Sequence, residues 1–225
     1  MQIGGEEMID TFGVREKQIL KDKLKTIPKV WDGKTSILEL RENNFQWRQT
    51  EWIGFWFEQW CKKNLSDIMN IPYKKKYGNV VFDGFWKFPW DLKTHAINKS
   101  RHVIVNACEA IEQAISEFGY FGLIIVKGKA TYDNSQGDFY NWHQELKGKK
   151  SRYVLERESR NSFSRPRKTS FQLTEIIIRI IGRDGASRFK TFQGDFRNSD
   201  GSLRKKKFLI DPNTIDSEET VRLEF

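Results

Sequence analysis

Asp83 closes the apolar run 80–82, and eight residues later the chain returns to an extended pattern as Asp91-Leu92-Lys93. The period of two in a strand puts Asp91 and Lys93 on one face. Two carboxylates and an ammonium held together repel, attract and desolvate one another. Such a set suits a hard divalent cation such as Mg²⁺, which takes carboxylate and carbonyl oxygens and keeps several waters. A lysine beside that ion can orient a water or help deprotonate it while the metal neutralises charge building on a phosphate. The chemistry that results is phosphodiester hydrolysis. A hairpin whose charged residues simply face water is the other reading of the same residues.

The acid-x-lysine triplet is a short pattern, and Asp32-Gly33-Lys34 and Glu145-Leu146-Lys147 satisfy it too. Asp32 stands in a turn-like stretch with no strand around it. Glu145 is a stronger rival, because Asp133 follows the apolar run 122–126 and could act as its first acid, but the residues around Glu145 lack strand alternation. His95 continues the face of Asp91 and Lys93, and His143 lies beside the rival triplet. Both are read as structural residues or substrate contacts, since metal and lysine already supply water activation.

The elements that must position these residues can be read from the pattern. Residues 14–26 carry apolar positions at helical spacing until Pro28, and 50–69 form a second helix with Ile53, Phe57, Trp60 and Ile68 on one stripe. Residues 80–82 read as a buried strand, 84–89 as a connection and 90–97 as a second strand. Residues 102–118 then read as a helix, with Ile104, Cys108, Ile111, Ile115 and Phe118 spaced by four, three, four and three, and Gly119 is its C-cap. The glycine-bounded run 120–128 suits a strand covered on both faces, and 171–182 suits either a strand or a short helix. This order of elements describes an α/β core.

Asp83, then Asp91-Leu92-Lys93, then a helix and a further buried strand together resemble the PD-(D/E)XK nuclease superfamily. Phe82 stands where the motif has proline, and the second acid is Asp where Glu is commoner. The resemblance covers residues 52–128. It implies a restriction-endonuclease-like core, a central mixed β-sheet flanked by α-helices, with Asp83, Asp91 and the backbone carbonyl of Leu92 as ligands of Mg²⁺ and Lys93 as the catalytic cation. Gly54-x-x-x-Glu58 looks like the helix glutamate of many members, with the glycine permitting close approach of the helix. A surface Glu58 paired with Lys62 remains the alternative.

The 225 residues fit a single domain, with 50–128 as catalytic core and 129–225 as the part that recognises DNA. There are 39 Lys and Arg against 30 Asp and Glu, a formal charge of +9, which favours a polyanionic partner. No apolar run approaches the roughly 20 residues of a spanning helix, and the first residues carry no leader pattern, so a cytoplasmic protein with no membrane partner is expected. The two cysteines, Cys61 and Cys108, have no metal-binding spacing and read as buried reduced thiols.

Residues 147–168 mix Arg and Lys with Ser, Asn and Tyr. Arg160, Asn161, Arg165 and Arg167 are candidates for bidentate contacts to base edges, with Lys168 beside them. A second basic stretch, with a hairpin expected at Asp200-Gly201, carries Arg204, Lys205 and Lys206 as phosphate contacts. The function these features imply is a sequence-specific type II restriction endonuclease. It would act on double-stranded DNA as a homodimer, since one site cuts one strand, and alongside a cognate DNA methyltransferase. A structure-directed repair or junction nuclease, or a non-catalytic nucleic-acid-binding protein, are the alternatives.

Overall fold

The computed structural model describes residues 12–98, 101–134, 137–150, 152–162, 165–197, 201–213 and 220–225. The N-terminal residues read for a leader and Asp200 of the expected hairpin lie outside them. Along the chain run α1 (Val14–Leu24), β1 (Val30–Asp32), α2 (Gly33–Glu42), α3 (Trp52–Asn64), β2 (Lys76–Tyr77) and β3 (Val80–Val81). There follow β4 (Gly84–Trp86), β5 (Phe88–Ala96), β6 (Val103–Ala107), α4 (Cys108–Phe118), β7 (Phe121–Tyr132) and α5 (Asp138–Lys147). Last come α6 (Arg152–Ser159), β8 (Lys168–Ile181), α7 (Arg183–Ala186), β9 (Lys190–Phe192), β10 (Lys207–Ile210) and β11 (Thr220–Glu224).

The architecture is mixed α/β. A six-stranded sheet has the order β1-β8-β7-β5-β4, with β11 also paired to β8. β5 and β7 are parallel and the other pairs antiparallel, so the sheet is mixed. β6, β10 and β9 form a separate three-stranded sheet, and β2 pairs with β3. Among the described residues no helix is long and apolar enough to cross a membrane.

β7 explains why the sheet is covered on both sides. Its apolar residues alternate between two cores: Ile124 and Val126 face the one built with Trp31, Trp52 and Phe57, while Leu123 and Ile125 face the one built with Ile111 and Ile115. The helix α3 is clamped at both levels by its tryptophans. Trp52 Nε1 donates to the Lys168 carbonyl at 2.8 Å, and Trp56 Nε1 donates to Glu39 Oε2 at 2.7 Å. Both cysteines are buried and free.

Several sequence expectations need correcting. Residues 84–86 are not a connection but the strand β4, which turns back at Lys87, in the left-handed region at φ 62°, and pairs with β5. The helix expected from residue 102 starts only at Cys108, because the β-branched Val103-Ile104-Val105 is drawn into pairing with β10. α3 stops at Asn64 and does not reach residue 69. Asp32, set aside as a turn residue with no strand around it, ends the strand β1 and caps α2 by accepting from the Thr35 N–H at 2.9 Å. Of the two readings left open for 171–182, the strand is the one formed.

Candidate active site

The β4–β5 hairpin sets the distance between the two aspartates. Gly84 is opposite Trp90, so one further step along the register puts Asp83 and Asp91 opposite each other just before β4 begins. There Asp83 Oδ2 accepts the Leu92 N–H at 2.7 Å. The N–H and C=O of one strand residue project to the same side, so the Leu92 carbonyl shares that edge of β5. Lys93 Nζ lies 3.1 Å from Asp91 Oδ2 and 3.5 Å from Asp83 Oδ2, bridging the two acids.

The environments of the three groups differ. The Asp91 side chain is fully buried, whereas about a quarter of Lys93 and of Asp83 remains exposed, with side-chain values of 24% and 22%. Asp91 Oδ1 accepts from Asn106 Nδ2 at 2.8 Å, but Oδ2 faces Lys93 as an ion pair and has no directed hydrogen bond. Burial raises the Asp91 pKa, opposed by Lys93 and reinforced by Asp83. Burial acts to lower the Lys93 pKa, but the carboxylates of Asp91 and Asp83 outweigh it and hold the ammonium above the ordinary lysine range.

Glu58, on α3, lies within electrostatic reach of the same centre. Its carboxyl is pushed up from 4.5 to about 8, first by burial and then by the charge of Asp83, with Lys93 acting in the opposite direction. Among the described residues no three carboxylate, imidazole or thiol groups form a ready-made metal cage. A fit to Mg²⁺ rests on a different donor set: a buried carboxylate oxygen without a hydrogen bond, a second carboxylate and a nearby main-chain carbonyl, with water filling the rest. Gly54 is less constrained than expected, since a Cβ there would sit 3.7 Å from Thr94 Oγ1, an ordinary contact.

The rival triplet has another setting. Glu145 and Lys147 are on the helix α5, where residues two apart do not face each other. Asp133 accepts from the Phe139 N–H at 2.8 Å at the start of that helix. His143 is buried against the Trp47 carbonyl at 3.0 Å, and burial lowers its pKa to about 4. His95 is buried on β5.

The expected DNA contacts fall into separate places. Arg160 and Asn161 are exposed just after α6, and Arg165 is exposed before β8. Arg167 is buried, its guanidinium 5.2 Å from the centre of the Tyr140 ring, and Lys168 pairs with Glu51. Arg204, Lys205 and Lys206 are exposed ahead of β10, on the smaller sheet, with Lys205 Nζ 3.6 Å from Glu109. Asn106 escaped the sequence reading because its segment was assigned to a helix, where it would not have faced Asp91. β8 and β11, both from the part assigned to recognition, complete the central sheet.

Comparison with protein-family models, with curated proteins and with solved structures gave no match.

Proposed function

We propose that this chain is a Mg²⁺-dependent DNA endonuclease of the restriction type, built on a restriction-endonuclease-like core. The observation that carries the reading is Lys93 Nζ lying within 3.1 Å of Asp91 and 3.5 Å of Asp83 on a strand edge, with the carboxyl of Glu58 close enough to be shifted by both acids. Purely structural ion pairs have no need of two carboxylates on one ammonium with a third carboxyl in electrostatic reach, two of the three held above their ordinary pKa.

Asp83, Asp91 and the Leu92 carbonyl would hold the metal. When bound, Mg²⁺ supplies charge neutralisation at the phosphate and acidifies a water it carries. The Leu92 N–H fixes the rotamer of Asp83, and Asn106 fixes that of Asp91. Lys93 Nζ keeps its proton, so its part is to donate to the attacking water or a phosphate oxygen, and general-base work falls elsewhere. Exposed Arg160, Asn161 and Arg165 suit contact with bases, and Arg204, Lys205 and Lys206 suit phosphates. Cutting both strands of a palindrome calls for two such sites and hence a symmetric homodimer.

The test is digestion of plasmid DNA with Mg²⁺ or with EDTA. Discrete metal-dependent bands are expected from the wild-type chain. Asp83→Asn, Asp91→Asn and Lys93→Ala should be inactive yet still bind DNA, while Glu145→Ala should cut normally. Cutting confined to branched or mismatched DNA would replace the restriction reading with a structure-directed one. Binding without cleavage of any DNA would leave a non-catalytic nucleic-acid-binding protein.

A further inference from the structure

A cavity of about 950 Å³ opens at the N-terminal end of α3, walled by three segments: residues 48–51, the end of α5 with the start of α6, and residues 165–168. Seven cationic side chains line it against a single carboxylate, Glu51, which is paired with Lys168. Among the described residues no carboxylate pairs with Lys147, Lys149 or Arg165.

The cations are held in place by the fold. Arg48 Nη1 donates to the Lys147 carbonyl at 2.9 Å, and its guanidinium lies 4.4 Å from the centre of the Trp47 ring. Arg167 is buried over Tyr140. Between them Lys147 is half-buried, and burial, Arg167 and Arg48 together lower its pKa from 10.5 to about 8. Lys150 is paired with Glu158 and Lys168 with Glu51, yet positive charge concentrated in this way around Lys147 costs free energy that an incoming anion recovers.

Size and wall chemistry narrow the anion. The volume is at the upper end of what a drug-sized organic ligand occupies and far exceeds a bare phosphate. Tyr132 and Val154 add an aromatic and an aliphatic surface suited to a planar base. A phosphomonoester brings a charge of about −1.5 to −2 at neutral pH, more than a backbone diester carries, and so suits a cavity with this surplus of cations better than the middle of a continuous strand does. We propose that this cavity binds a nucleotide through a terminal phosphate, carried on a free mononucleotide or at the end of a nucleic-acid strand. Glu51 in its lining is seven residues before Glu58, two helical turns or about 10 Å, so the cavity is a separate place from the acidic centre.

The experiment is calorimetric titration of the full chain in EDTA, so it stands whether or not the chain is a nuclease. The probes are inorganic phosphate, adenosine, adenosine 5′-monophosphate, and one short oligodeoxynucleotide with a 5′-phosphate or a 5′-hydroxyl. The monophosphate should bind at least tenfold tighter than adenosine or phosphate. Lys147→Met and the surface change Lys149→Ala should each weaken it severalfold, while Lys190→Ala, at an exposed position on the smaller sheet, leaves it unchanged. A preference for the 5′-phosphorylated oligonucleotide over its hydroxyl twin makes the ligand a strand end, and equal binding of the two makes it a free nucleotide. Monophosphate binding no tighter than adenosine or inorganic phosphate, or an equal loss from Lys190→Ala, would overturn the proposal.

Discussion

Asn106 Nδ2 donates to Asp91 Oδ1 at 2.8 Å, a bond that links the small sheet to the buried acid of the large one. It leaves Oδ2 as the oxygen turned toward Lys93. Replacing Asn106 by Ala should lower Mg²⁺-dependent cleavage roughly 10- to 100-fold, the usual effect of losing a partner that orients a ligand. The Mg²⁺ concentration for half-maximal rate should rise, with DNA affinity unchanged. Cleavage with a normal Mg²⁺ requirement would remove Asn106 from the site.

Glu58 gives the protein a pH-dependent stability. With a folded pKa of about 8 against 4.5, the folded state keeps a proton that the unfolded chain has lost between those values. Stability therefore falls as pH rises from about 4.5 to about 8 and levels off above. Glu58→Gln should melt higher than wild type at pH 8.5, by roughly 2 kcal/mol or about 5 °C, and the gain should vanish near pH 4.5. Thermal melts across that range in EDTA check this, and a gain independent of pH would mean another cause.

Two glycines should respond oppositely to alanine. At Gly122 a Cβ would come within 2.1 Å of the Trp90 indole, which lies across the strand behind Asp91, so Gly122→Ala should cost about 1–3 kcal/mol or more in denaturant unfolding. At Gly54 the new methyl meets only Thr94 Oγ1 at 3.7 Å, and Gly54→Ala should stabilise α3 by about 0.5–1 kcal/mol without loss of cleavage.

Arg167 and Arg165 are two residues apart and should behave differently. Arg167 is buried over Tyr140, so Arg167→Ala should lower stability by about 1–2 kcal/mol through lost packing and cation–π contact. The exposed Arg165 should change DNA or nucleotide affinity with no shift in melting temperature. Equal melting temperatures for the two variants would contradict the burial of Arg167.

The acid-acid-lysine set was legible because strand alternation is a strong local signal, and it placed Asp91 and Lys93 on one face before any pairing was known. What brings Asp83 alongside was not legible. The hairpin turns at Lys87, without the Asn-Gly or Gly-Gly that usually marks one, and Pro89 disguises its second strand. β6 was lost for a similar reason: its apolar residues fall in phase with the following helix, and only pairing with β10, a hundred residues later, makes it a strand. The basic cavity depends on three segments meeting, which no local pattern records.

β8 has β7 along the whole of one side, but its other side is shared between β1, at residues 170–172, and β11, at residues 175–179. Two short strands from distant parts of the sequence thus cover one long, apolar 14-residue strand. Covering that edge is consequently divided between them. Detachment of β11 alone would bare Ile176, Ile177 and Ile178 and a row of open main-chain donors and acceptors, a template for adding the same strand from another copy. Arg222 bonded to Glu175 and to the Pro212 carbonyl is therefore a latch against self-association, although it lies outside the acidic centre.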